Sequence, residues 1–144
     1  MIDLKSAIRD AKAKGEPGIL SNAIPYARFN GIVLETGDDG LRCNMPYQPH
    51  LVGNPTVPSL HGGAIGALLE SVIILHLLWE TEPEAAPRTI SMSFDFLRLA
   101  RPVDTWARCI VERHGRRVVN ARAEAWQDDR NKPITLARGN FLLP

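Results

Sequence analysis

The stretch from His61 to Trp79 reads HGGAIGALLESVIILHLLW, and its composition decides the fold. Almost all of it after the opening glycines is apolar, and the exceptions are Gly66, Glu70, Ser71 and His76. A helix with so little polar surface has no wide solvated face, so we predict a buried central helix over residues 62–80. Glu70 near its middle disfavours a membrane span, because a central carboxylate costs about 2.5 to 3.5 kcal/mol on insertion scales.

The segments around this helix predict an antiparallel sheet. Residues 1–15 have helical spacing of apolar side chains and end at Gly15, whereas residues 46–60 are rich in proline and predict a loop. Turn residues at 36–40 predict a hairpin, and a polar turn at 128–132 precedes the last strand. The predicted strands are 29–34, 41–45, 89–96, 105–112, 117–127 and 134–143. We expect an α+β fold with the sheet wrapped around the helix and the second half forming a meander.

Length and charge narrow the class of protein. The 144 residues suit one domain, residues 1–144, with a single core. Seventeen basic against sixteen acidic residues give a net charge of +1, which favours neither nucleic acid nor an anionic membrane as partner. The charged first twenty residues do not resemble a secretory signal, and we predict a cytoplasmic protein. Cys43 and Cys109 are expected to be reduced core thiols. No metal is implied, because His50 and His76 lack companions at ligand spacing.

The entry to the central helix combines features that suit carbonyl chemistry. Amide groups at a helix start carry partial positive charge, and Gly62 and Gly63 would let a ligand oxygen approach them without meeting a Cβ atom. This arrangement can form an oxyanion hole. Glu70 lies on an otherwise apolar helix, where a carboxyl without a role is costly, so it is the candidate general base or nucleophile.

Helix geometry then predicts an oligomer. Gly62 and Glu70 are separated by roughly 12 Å along one helix, at 1.5 Å per residue, and cannot both touch one carbonyl group. If both take part, the carboxylate comes from a second copy across a two-fold axis. We therefore expect a homodimer, or a dimer of dimers, with two equivalent sites per dimer.

The order Asn54, His61-Gly62-Gly63 and Glu70, followed by the strand that ends Phe96-Leu97-Arg98, resembles the PaaI-like branch of the hotdog acyl-CoA thioesterases. The resemblance covers most of the chain and implies a hotdog fold and hydrolysis of an acyl-CoA without a cofactor. It implies that the Gly62 or Gly63 amide holds the thioester oxygen, that Glu70 of the partner activates water or attacks, and that Asn54 positions the water or the carboxylate. Substrate contacts are expected from residues on both sides of this site: Thr89, Arg98, Arg116, Arg117, Ile65 and Leu69.

Other interpretations stay open at this point. Residues 50–58 also resemble the active-site loop of hotdog 3-hydroxyacyl thioester dehydratases, although Ala64 stands where those enzymes have a carboxylate. A non-catalytic acyl-CoA binding module would keep the pocket without turnover. His61 is expected to hold the turn rather than transfer protons, Asn54 suits a turn, and Glu70 suits an ion pair in a dimer contact. The expected acyl group is aromatic or medium-chain, because the helix is apolar.

Overall fold

The computed structural model describes residues 3–144, so the first two residues of the predicted N-terminal helix lie outside the described residues. Three short helices precede the sheet: α1 (Leu4–Lys14), α2 (Gly18–Ala23) and α3 (Pro25–Phe29). The remaining elements, in chain order, are β1 (Val33–Gly37), β2 (Gly40–Met45), a 3-10 turn (Pro49–Leu51), β3 (Val52–Asn54), β4 (Ser59–Leu60), α4 (Gly62–Thr81), β5 (Arg88–Phe96), β6 (Thr105–His114), β7 (Val118–Trp126) and β8 (Thr135–Leu142).

One six-stranded antiparallel sheet packs around α4. Its strand order is β1-β2-β6-β7-β8-β5, and α4 lies against β2, β6 and β7 at the middle of the sheet. Leu68, Leu69, Val72 and Leu75 of α4 are fully shielded from solvent and form the centre of the core. Burying each such side chain stabilises the fold by roughly 1.5 to 3 kcal/mol. The predicted α+β architecture, with a sheet around a buried helix, is confirmed.

The region before β1 differs from its prediction. Residues 29–34 were expected to form one strand, but α3 ends at Phe29 and β1 begins only at Val33. Pro25 occupies the first turn of α3, where its missing N–H group costs nothing. The Leu34 N–H group donates to the Ser21 hydroxyl at 2.6 Å, which fixes α2 against β1. Both helices are too short for helical periodicity to show in the sequence.

Strand β5 corrects the expected meander. Of the last four strands, β6, β7 and β8 are sequential neighbours, whereas β5 pairs with β8 and forms one edge of the sheet. A bulge between Thr89 and Ser91 breaks the predicted alternation at Ile90, which is 56% exposed. Met92 and Phe94, further along the strand, still pack against the core as expected.

The two cysteines are buried free thiols, as the sequence predicts. Cys43 lies on β2 and Cys109 on β6, on the side of the sheet that packs on the core. Burial raises the pKa of the Cys43 thiol far above its usual range, and it raises that of Cys109 to about 12. Both groups therefore stay protonated at neutral pH.

Helix α4 would also qualify as a membrane span by length and composition alone, with a mean hydropathy of 1.7. Buried core helices share this property, and α4 packs against the sheet. Its one histidine, His76, has a buried Nδ1 atom without a hydrogen-bond partner among residues 3–144. Burial lowers the pKa of the His76 imidazole, and the nearby Glu80 carboxylate opposes this effect.

We predict that acid destabilises the fold through His76. Its pKa in the folded chain is below the ordinary value of 6.5, so the folded chain binds fewer protons and loses stability as pH falls through and below 6.5. Urea unfolding at pH 7.5 and 5.5 should show a smaller acid loss in His76→Leu than in the wild type. Replacing the exposed His114 by Gln serves as control and should keep the wild-type loss. An equal loss in all three proteins would contradict this role for His76.

Candidate active site at the start of helix α4

His61 is the N-cap of α4 and holds its first turn through two groups. Its backbone is extended, with φ −63° and ψ 132°, and its carbonyl accepts from the Ala64 and Ile65 N–H groups at 2.9 and 3.2 Å. Its Nδ1 atom accepts from the Gly63 N–H group at 2.8 Å. The imidazole thus takes the place of the Ser or Asp side chain that usually caps a helix. This geometry agrees with the structural role expected for His61.

The same contacts separate the two glycine amides. The Gly63 N–H group is occupied by His61, whereas the Gly62 N–H group has no acceptor within the described part of the chain. Gly62 is the first residue of α4, where amide groups have no partner inside the helix and point along its axis. Of the two predicted oxyanion donors, Gly62 is therefore the one open to a ligand.

The loop before α4 packs closely against the first turn of the helix. It was predicted as irregular, but it contains the 3-10 turn and the short ladder of β3 with β4. The His61 N–H group donates to the Leu51 carbonyl at 2.7 Å. A Cβ atom on Gly53 would lie 2.7 Å from the His61 Cα atom, so only glycine permits this approach. The sequence signal for this contact is Gly53 itself, which the sequence analysis did not single out.

Asn54 closes the turn that follows β3. Its Oδ1 atom accepts from the Thr56 and Val57 N–H groups at 3.0 and 3.2 Å, and its side chain is exposed. This is the Asx turn that asparagine favours. The side-chain carbonyl is therefore engaged within the loop. The NH2 group of Asn54 makes no hydrogen bond with any residue from 3 to 144 and is available to a ligand.

Two phenylalanines of β5 cover the helix start, a position that was not predicted from the sequence. A Cβ atom on Gly62 would lie 3.3 Å from the Phe96 ring, and one on Gly66 would lie 3.5 Å from the Phe94 ring. The two rings are stacked with centroids 6.3 Å apart and an interplanar angle of 23°. The period-two pattern of β5, facing a helix with glycines, is the signal that could have located them.

Glu70 lies on the least covered side of α4. It is half-buried and makes no hydrogen bond or ion pair with any residue from 3 to 144. The same side carries small or half-buried residues, which we call the open stripe: Gly63, Gly66, Ala67, Glu70, Ser71 and Ile74. Within one chain, Glu70 is about 12 Å along the helix from Gly62. The two groups are not brought together in a single protomer.

Two residues expected to wall the acyl pocket lie elsewhere. Ile65 and Leu69 are 2% and 0% exposed and belong to the chain's own core, behind the open stripe. Their spacing on α4 turns them toward the sheet rather than toward Gly62 and Glu70. The prediction that they contact substrate is therefore corrected to a packing role. Apolar sequence alone does not distinguish the two faces of such a helix.

The predicted substrate-binding polar residues occupy two ends of the sheet. Arg98 follows β5 at the end near Gly62 and donates to the Pro133 carbonyl at 2.6 Å. Arg116 and Arg117 connect β6 to β7, and the Arg117 carbonyl accepts from the Leu143 N–H group after the far end of β8. The eight residues of β8 separate these ends by about 26 Å. Thr89 also lies at the far end, at the start of β5.

The alternative site residue His50 lies in the 3-10 turn. Its ring is exposed and contacts the Phe29 ring, with centroids 5.2 Å apart. Ala64, which stands where the dehydratase pattern has a carboxylate, belongs to the first turn of α4. The carboxylate of the dehydratase pattern therefore has no counterpart at position 64.

Comparison with known proteins now identifies the family. Residues 53–142 match the family described as the acyl-CoA thioesterase N-terminal domain, which is more than half of the chain. The chain belongs to this acyl-CoA thioesterase family. It is a thioester hydrolase, and both the matching family and the solved structures of thioesterase-superfamily proteins support this assignment. A search of curated proteins found no match.

Solved structures confirm the hotdog fold. A protein from Chromobacterium violaceum is 34% identical, with 96% of this chain and 97% of that chain covered and a TM-score of 0.78. A phenylacetic acid degradation-related protein from Ralstonia eutropha JMP134 is 27% identical over 83% of this chain and 91% of that chain, with a TM-score of 0.72. A Bacillus halodurans protein solved with CoA is 18% identical over 99% and 91%, and its TM-score of 0.73 shows a shared fold.

We predict that His61 acts through its cap and not by proton transfer. His61→Ala should lower the free energy of unfolding by about 1 kcal/mol, as the loss of a cap does, and should slow thioester hydrolysis. His61→Asn restores a side-chain acceptor for the Gly63 N–H group and should recover most of the stability and most of the turnover number. Urea unfolding and a thiol-release assay measure both quantities. Equal inactivity of the Asn and Ala variants, with stability restored by Asn, would instead assign proton transfer to His61.

Proposed function

We propose that this thioesterase hydrolyses an aromatic or medium-chain acyl-CoA in a site shared by two protomers. The observation that carries the proposal is the Gly62 N–H group, which lacks an acceptor in residues 3–144 and belongs to a glycine that packs against the Phe96 ring. Glu70, the one carboxylate of the open stripe, is too far along the same helix to reach it. A neighbouring α4, antiparallel to the first, supplies the carboxylate.

The surfaces needed for this assembly lie side by side. A two-fold axis near Gly66 would place Gly62 of one protomer opposite Glu70 of the partner subunit, and the small residues of the open stripe permit close approach of the helices. The β5 edge is nine residues long and exposes apolar side chains, including Ile90 and Phe96. Such an edge is a template for pairing with another strand. We propose a homodimer of this form, alone or within a dimer of dimers.

Antiparallel pairing of two β5 edges would also group the separated polar residues. It places the start of one β5 beside the end of the other, so the partner's Thr89 approaches Phe96 and Gly62. The partner's Arg116 and Arg117 come to the level of Arg98, where all three can meet the phosphates of CoA. A CoA ligand accords with the CoA-bound relative from Bacillus halodurans.

The proposed reaction follows from these positions. The Gly62 N–H group donates to the thioester oxygen, and the positive end of α4 stabilises the negative charge that forms there. The partner's Glu70 takes a proton from a water molecule as that water bonds to the carbonyl carbon, or attacks the carbon itself. The carbon–sulfur bond then breaks. When Glu70 acts as base, it passes the proton it took from water to the sulfur, and the acid and the thiol are released. When Glu70 acts as nucleophile, the bond breaks to leave an anhydride between the acyl group and Glu70, and a water molecule hydrolyses this anhydride to release the acid and to supply the proton of the thiol. The Asn54 amide orients the water or the carboxylate.

The acyl group is proposed to lie against Phe94 and Phe96. The Phe96 ring borders Gly62, where the carbonyl is proposed to be held, and the stacked Phe94 ring borders Gly66 one turn further along α4. Apolar surface and ring stacking favour an aromatic or medium aliphatic acyl group over acetyl. The printed description of the Ralstonia eutropha relative, which concerns phenylacetic acid degradation, accords with an aromatic acid as product.

We predict that thiol release from phenylacetyl-CoA and octanoyl-CoA exceeds that from acetyl-CoA. Phe96→Ala should lower kcat/KM for phenylacetyl-CoA by about tenfold, the upper range for loss of one aromatic pair, while changing the value for acetyl-CoA little. The comparison of two substrates in one variant serves as its own control. Uniform losses for all acyl groups would contradict acyl recognition by this ring. Conversion of a 3-hydroxyacyl-CoA to an enoyl product without thiol release would favour the dehydratase alternative.

We predict that Gly62→Pro lowers kcat by about 10² to 10³, the cost of losing one oxyanion donor. Proline suits the first position of a helix, and the extended His61 backbone suits the residue before proline. Gly62→Ala is the matched control, because it adds the same crowding against Phe96 but keeps the N–H group. It should retain far more activity than the proline variant.

The shared site is tested by mixing variants. Glu70→Ala and Gly62→Pro should each be inactive, but a mixed dimer of the two holds one intact site. Random pairing then restores about one quarter of wild-type activity, since half of the dimers are mixed and each has one working site of two. Mass analysis verifies that mixed dimers form. Absence of recovered activity in verified mixed dimers would exclude a carboxylate supplied by the partner.

A further inference from the structure

The outer face of the sheet, which points away from α4, contains a polar cavity of about 420 Å³. It is open to solvent and lies over the middle of β7 and β8. Hydrogen-bond donors dominate its lining: Ser91, Ser93, Arg113, Asn120, Arg138 and Asn140. None of these residues takes part in the site at the start of α4, from which the sheet separates them.

Strand register arranges the lining in two rows. Arg113 pairs with Asn120, Asn120 with Asn140, and Asn140 with Ser91, so one row crosses four strands on the outer face. The adjacent row contains Arg122, Arg138 and Ser93. The two rows place side chains of β5, β6, β7 and β8 next to one another on the outer face.

Two β-bulges border this arrangement, and the one in β6 re-aims a lining residue. The first lies between Val111 and Arg113 in β6 and puts Arg113 opposite Asn120, on the outer face beside Glu112. The second lies between Thr89 and Ser91 in β5, and after it Ser91 pairs with Asn140 and Ser93 with Arg138 on the same face. Without the extra residue in β6, the alternation that puts Val111 on the inner face would send Arg113 there too. Bulges that re-aim side chains are common beside functional sites.

The hydrogen bonds of the first row leave a hydroxyl group free to donate. The Asn120 amide donates to the Asn140 side-chain oxygen, and the Asn140 amide donates to the Ser91 hydroxyl at 3.0 Å. Because the Ser91 oxygen already accepts, its O–H group is left to donate outward. A chain of donors that ends in a hydroxyl group suits an anionic acceptor.

The charge of the cavity is positive, which also suits an anion. Its one carboxylate, Glu112, is paired with Arg122 at 3.2 Å. Arg113 and Arg138 have no carboxylate within 4.0 Å among the residues described. Two guanidinium groups therefore face the cavity without a counter-charge from the chain, and arginine binds phosphate oxygens by paired hydrogen bonds.

We propose that this outer-face cavity binds a phosphate group, with Arg113 and Arg138 as its cationic ligands and Ser91 and Ser93 as neutral donors. Either a nucleotide that carries phosphates, such as the 3′,5′-ADP end of a CoA, or free inorganic phosphate provides this chemistry. The site is complete within one protomer, so it does not depend on the shared active site proposed above.

Calorimetric titration at low ionic strength tests the site, with inorganic phosphate, 3′,5′-ADP and adenosine as ligands. The wild type should bind at least one of the two phosphate-bearing ligands and should not bind adenosine. Arg113→Gln combined with Arg138→Gln should weaken that binding by at least tenfold, because both paired contacts are lost. Arg9→Gln is the matched control: it removes one positive charge from the exposed surface of α1 and should bind as the wild type does. Added salt should weaken the binding.

The outcomes separate the two ligand sources and can overturn the proposal. Binding of 3′,5′-ADP alone assigns the site to a nucleotide, and equal binding of phosphate assigns it to a simple anion. Failure of both ligands to bind at millimolar concentration, or unchanged binding by the double variant, overturns the proposal. If the double variant unfolds, Ser91→Ala with Ser93→Ala replaces it and should weaken binding by a smaller factor. The Glu70 and Gly62 variants should keep this binding even when they lose acyl-CoA hydrolysis, so the two proposals can fail independently.

Discussion

The apolar helix α4 must be kept from water, and the rest of the structure depends on this constraint. One sheet curls around it but covers only part of its circumference, since a helix offers a full cylinder and the sheet has two free edges. The part left uncovered is the open stripe with Glu70, next to the edge strand β5. Burial of this remainder by a second copy would bring a carboxylate into reach of another helix start. In the proposed dimer, burial of the open stripe would therefore also complete the active site.

The reactive end of α4 is formed mainly by backbone. His61 engages one glycine amide and leaves the amide of Gly62 open. Gly53 lets the loop press on His61, and Gly62 lets the Phe96 ring lie against the helix. In each case the missing Cβ atom is what matters, because it allows backbone or ring atoms to approach within van der Waals distance. The side chains that surround the site then determine which ligand fits.

Local patterns predicted most of the fold, whereas features that depend on distant pairing did not follow from the sequence. The composition of α4 and the turns between strands are local, so the central helix and the hairpins were predicted correctly. The place of β5 beside β8 is set by pairing across the sheet, which no short window contains. For the same reason the sequence grouped Arg98 with Arg116, which lie at opposite ends of the sheet. It also could not show that Ile65 and Leu69 face the core, although the preference of asparagine for turns did indicate the turn at Asn54.

The burial of both cysteines matters for an enzyme that handles activated acyl groups. A thiolate attacks a thioester readily, and the acyl group then passes to the protein. Cys43 and Cys109 stay protonated because burial raises the pKa of each, and the core shields their sulfur atoms from substrate. Neither cysteine therefore competes for the acyl group of a thioester substrate.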